Sequence, residues 1–159
     1  MKKLFFLVAM TVTTFIQHSY AQVANQQSSL SQLLHSYYDI KDALVAGSAA
    51  TASSKATDFV KHFTEIDSKV LPLKNSTALL KDANQISESK DIKHQREHFA
   101  NFSVNMFALA KSVKLTSDPI YEAYCPMKKA YWLSSAKTIK NPYFGSAMLT
   151  CGSIKETLK

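Results

Sequence analysis

The sequence predicts an all-α fold: an antiparallel up-down four-helix bundle that ends in an irregular, aromatic-rich C-terminal segment. Three observations point there. Four consecutive segments repeat apolar residues at steps of three and four, the period of helices with one buried face. Only Gly47, Gly145 and Gly152 supply glycine, too few for an all-β chain full of tight turns. Helical periodicity then stops at Asp118-Pro119, where aromatics, prolines and both cysteines accumulate.

The N-terminus reads as an export signal. Lys2 and Lys3 precede an apolar run from Leu4 to Ile16, and Ser19-Tyr20-Ala21 places small residues where a signal peptidase cuts. Residues 1–21 are thus expected to be a signal peptide, residues 22–28 a flexible polar leader, and residues 29–159 a single helical-bundle domain that includes a C-terminal Cys/Met segment, 119–159. The apolar run is too short to span a bilayer and no second run approaches about 20 residues. The mature chain is therefore expected to be periplasmic, with no transmembrane segment.

The first helix carries Leu30, Leu33, Leu34, Tyr37, Ile40 and Leu44 on one face. Gly47 suits its C-terminal cap and Ser48 the N-cap of the next helix. That second helix, with Ala52, Ala56, Phe59, Val60, Phe63, Ile66 and Val70, is expected to run to about Leu71, where Pro72 stops it. Asn75 or Ser76 caps a third, shorter helix with Leu79, Leu80, Ala83 and Ile86. The fourth has the cleanest stripe: Ile92, Gln95, Phe99, Phe102, Met106, Leu109 and Val113. In the tail, extended pieces around 121–125 and 130–133 would form a short β-hairpin. A turn is expected at 141–145 and a last helical turn at 154–158.

The formal charge of +7 reads as a solvated surface. Its lysines are scattered, and Arg96 is the only arginine, which suits solvation better than bidentate phosphate recognition. Nucleic acid is thus not an expected partner. No glycine-rich phosphate loop, Ser-His-Asp set or carboxylate pair is present, so an enzyme is not expected.

Soft ligands concentrate in the tail, as Cys125-Pro126-Met127 and Met148-Leu149-Thr150-Cys151. If the turn at 141–145 folds the chain back, four sulfurs converge, and thiolate with thioether selects soft ions, Cu(I) foremost. A disulfide explains the same cysteines in an exported chain. It would constrain the unfolded state by roughly 3–4 kcal/mol, leaving both methionines as packing residues. A weaker metal candidate is His94-Gln95-Arg96-Glu97-His98, which fits H-x-x-E-H with two imidazoles one helical turn apart. Half-exposed histidines without a ligand are the plainer reading, since a peptidase needs a third ligand and a cleft.

The runs Tyr124–Met127, Ala130–Ser135, Ile139–Gly145 and Met148–Gly152 resemble a bacterial periplasmic domain of unknown function. The stretch Tyr37–Val45 is similar to that family's opening helix. The domain occurs alone or at the C-terminus of adaptor (membrane-fusion) proteins of heavy-metal efflux pumps. Only Lys128-Lys129 separate Met127 from Ala130, where members often carry a longer turn. The resemblance implies a non-enzymatic periplasmic domain close to copper or silver efflux, with an efflux adaptor or metal chaperone as partner. Cys125, Met127, Met148 and Cys151 would be its ligands for a Cu(I)-like ion. The alternative is a structural or interaction module with a Cys125–Cys151 disulfide.

Overall fold

The computed structural model describes residues 25–71 and 73–159, with the side chains of 73–75 left aside. The expected signal peptide lies outside the described residues, as do residues 22–24 of the expected leader. The described residues form four helices: α1 over residues 25–46, then α2 (Ala49–Glu65), α3 (Leu73–Glu88) and α4 (Ile92–Ser112). They are followed by β1 (Ile120–Cys125), β2 (Ala130–Ser134), a 3-10 turn at Gly145–Met148, and β3 (Ser153–Leu158). The three strands form an antiparallel sheet in the order β2-β1-β3. The fold is thus a helical bundle joined to a small sheet and not all-α.

The junction of α1 and α2 forms as the sequence dictates. Gly47 sits at φ 75, where a side chain is disfavoured. Ser48 N–H donates to the Ala43 carbonyl and Gly47 N–H to that of Leu44, the Schellman closure. The Ser48 hydroxyl then accepts from Thr51 N–H. Residues 25–28 correct the expected flexible leader: they are already helical, and the Gln27 amide donates to the carbonyls of Lys114 and Leu115. That cross-link holds the first turn to the segment after α4. A second correction concerns α2, which ends at Glu65 instead of near Leu71. The Asp67 carboxylate accepts from Lys69 N–H, and this local turn competes with continuing the helix. The third helix starts at Leu73, ahead of the expected caps Asn75 and Ser76.

Asp91 caps α4 by accepting from Lys93 N–H. Its stripe is buried as expected through Gln95, Phe99, Phe102, Met106 and Leu109. Gln95 is the polar member of that stripe, and its amide donates to the carbonyls of Ala49, Ile86 and Ser89. One side chain thereby ties the start of α2 to the end of α3.

The expected hairpin is the β1–β2 pair, with Ala123 opposite Trp132 and Cys125 opposite Ala130. Residues 154–158 are not a helical turn but most of β3, Ile120 pairing with Leu158 and Tyr124 with Ser153. A single isolated turn of helix is marginal, whereas the open edge of β1 offers a ladder of backbone partners.

Tyr37 fastens sheet to bundle. Its ring is fully buried and stacked on Phe99 at 5.3 Å. Its hydroxyl accepts from Leu133 N–H at 3.0 Å and pairs with the Ser103 hydroxyl at 2.7 Å. Tyr37→Phe leaves a buried N–H without its partner, so a loss of about 1–3 kcal/mol is expected. A lower urea midpoint at unchanged slope would show it; an unchanged midpoint would refute the clamp.

Candidate functional site

Where the sheet meets the returning chain, the two cysteines come together. Cys125 is the last residue of β1 and Cys151 lies just before β3, so the pairing of these strands brings their side chains to one place. Both are free thiols, with Sγ atoms 3.7 Å apart. Cys125 is fully buried and Cys151 half-buried.

The chain around Cys125 turns tightly. Lys129 N–H donates to the Cys125 carbonyl, with Lys129 at φ 57, and Lys128 N–H points at the Cys125 sulfur from 3.5 Å. The other side is organised by Asn141, which is fully buried. Its amide donates to the Cys151 carbonyl at 2.7 Å, and its side-chain oxygen accepts from Tyr143 N–H at 2.8 Å. Its backbone N–H donates to the Leu149 carbonyl. The turn expected at 141–145 is thus built on one asparagine that holds the returning strand against β1. Sequence reasoning read Asn141 only as a turn former; its burial was the missing signal.

Arg96, read at first as one more surface charge, reaches the same region. Its guanidinium donates to the Pro142 carbonyl at 2.8 Å and to the Leu44 carbonyl at 2.9 Å. The second contact places a cation at the C-terminal end of α1, where the helix dipole favours it. A lysine could not span both carbonyls with a fixed planar fork.

The thiols are electrostatically unequal. Burial pushes the Cys125 thiol up, but hydrogen bonds from Lys128 N–H, the Asn141 amide, the Cys151 thiol and Met127 N–H outweigh it, and its pKa falls below the ordinary value. For Cys151, desolvation and the neighbouring Cys125 sulfur hold the thiol above its ordinary value. The pair therefore ionises in order, Cys125 first, with the remaining proton on Cys151 and shared between the sulfurs. Thiolate ultraviolet absorbance should show a first inflection below that of an unperturbed cysteine thiol. Cys151→Ala should move that inflection upward; an unmoved inflection would contradict the shared proton.

Of the four sulfur residues singled out by sequence, the structure brings Cys125 and Cys151 into contact. Met127 is 66% exposed beside them, while Met148 is half-buried in the 3-10 turn. His94 and His98 lie on α4, where His98 faces Asp82 of α3. Among the described residues no group of three or more His, Cys, Asp or Glu side chains could hold a metal ion, and no helix is long and apolar enough to cross a membrane. What the thiol site offers is a pair of sulfurs able to ligate a soft ion together or to be oxidised together.

A family model described as "Protein of unknown function (DUF3347)" matches residues 33–118, from α1 to the approach to β1. The match rests on the bundle and ends before the Cys/Met segment. No curated protein and no solved structure matches the chain.

Proposed function

Because the chain belongs to the DUF3347 family of proteins of unknown function, its site is the guide to its role, and we propose that it binds a soft metal ion, Cu(I) or Ag(I), between Cys125 and Cys151. In this reading the protein is exported to the periplasm by residues 1–21. It buffers the ion or passes it on, does no chemistry on it, and serves heavy-metal efflux with an efflux adaptor or metal chaperone as partner. Met127 and Met148 supply thioether ligands from the two flanks.

The observation that carries the proposal is the 3.7 Å separation of two unbonded sulfurs, one of them favoured as thiolate. Two thiolates held tetrahedrally at about 2.3 Å, the usual zinc–thiolate distance, stand roughly 3.8 Å apart, so sulfurs this close can share one ion. A disulfide would need the sulfurs to close to about 2.0 Å. Burial of Cys125 and the exposure of Met127 give the ion a dry ligand on one side and an exit on the other.

Competition titration of reduced protein against a chromophoric Cu(I) chelator tests this. One equivalent should bind. Cys125→Ser should weaken binding by more than the roughly 10–100-fold that loss of an outer hydrogen-bond partner costs a metal site, and Met148→Leu should weaken it less. Equal affinity in parent and Cys125→Ser would overturn the proposal. The second reading, a structural or interaction module closed by a Cys125–Cys151 disulfide, rests on the same sulfur contact.

A further inference from the structure

A different pair of ligating side chains stands outside the thiol site. His94 and His98 occupy successive turns of α4, with ring centroids 4.6 Å apart and planes tilted by 57°. Asp82, almost buried on α3, lies 3.0 Å from His98 Nδ1. A carboxylate has no proton to give, so Nδ1 is the donor, and in the neutral ring His98 Nε2 then carries the lone pair. This is the arrangement that orients metal-ligating histidines and raises their basicity. His94 Nδ1 is buried with no hydrogen-bond partner among the described residues. No hydrogen bond at that nitrogen fixes the ring, and a buried polar atom without a partner is uncommon enough to need a reason. Beside His94 lies a shallow depression lined by Gln85, Glu88, Ser89 and Asp91, whose two carboxylates favour a cation. The nearby positive charge of Arg96 is turned away, toward the Leu44 and Pro142 carbonyls.

We propose that His94 and His98 together bind a divalent cation of borderline softness, Zn(II) in the first instance, with Asp82 as the positioning residue for His98 and water completing the coordination. Imidazole suits Zn(II), Ni(II) and Cu(II), whereas thiolate and thioether select Cu(I). The two sites therefore differ in the metals they take, and this one does not depend on the thiols.

The test is a Zn(II) competition titration against a chromophoric chelator, on the Cys125→Ser/Cys151→Ser chain. One equivalent should bind, and adding His94→Gln or His98→Gln should weaken binding by more than about tenfold. Asp82→Asn should cost about tenfold, the low end for an outer partner of a ligating histidine. Imidazole nitrogen resonances of the unmutated chain give the same reading without substitution: those of His94 and His98 should shift on adding Zn(II). Unchanged resonances, or zinc lost with the cysteines and retained without the histidines, would overturn the proposal. Neither result bears on Cu(I) binding by the thiols, so the two readings fail separately.

Discussion

Trp132→Ala is expected to destabilise the protein by about 3–5 kcal/mol, the range for removing a large, fully buried aromatic. Trp132 is 1% exposed and sits on β2 opposite Ala123. Its ring meets Tyr143 edge-on at 6.1 Å, and Tyr143 in turn donates to the Tyr131 carbonyl. It also lies against the backbone at Gly152, the residue after Cys151. The cavity would therefore open between the hairpin and the strand that carries the second thiol. Besides a lower denaturant midpoint by circular dichroism, the account expects the ordered ionisation of the two thiols to be lost. A variant that unfolds as the parent does would remove Trp132 from the frame of the site.

Gly152→Ala is the second large effect, expected at about 2–6 kcal/mol from two sources. Gly152 adopts φ 149, a conformation nearly confined to glycine, and strain of this kind costs about 1–3 kcal/mol. An added Cβ would also stand 2.6 Å from Trp132 Cη2 and 3.0 Å from the Tyr124 carbonyl oxygen. Neither neighbour yields easily: one is the edge of a buried ring, the other backbone in the central strand. Overpacking of this type costs about 1–3 kcal/mol. Because half of the clash is with Trp132, the two substitutions should be non-additive, Gly152→Ala being less harmful in a Trp132→Leu background. Equal penalties in both backgrounds would show that the backbone term alone governs this position.

Much of the bundle was legible because its signals are local. The Gly47-Ser48 punctuation and the α4 stripe each follow from residues within a few turns, and both formed as expected. The tail was legible only in part. Ile154 and Leu158 are four apart and so mimic one helical turn, yet they lie in a strand because the unpaired edge of β1 is there to receive it. Nothing local announces that edge. The long-range roles of Asn141, Arg96 and Tyr37 were illegible for the same reason, although Tyr37 was placed on the buried face of α1. Each matters through partners far along the chain: Asn141 through Cys151, Arg96 through Leu44, and Tyr37 through Leu133. The nearness of the cysteines was inferable once a turn at 141–145 was granted. Their inequality was not, since it comes from donors that only the folded backbone aims at Cys125.

The thiol pair as a soft-metal ligand is the central claim, and the intact mass of the purified protein tests it most directly, read with and without Cu(I) and thiol alkylation. The account predicts two alkylatable thiols in the metal-free chain. It predicts one bound copper that protects both thiols together. A chain whose mass already shows the disulfide, and which excess Cu(I) leaves oxidised and copper-free, would contradict it.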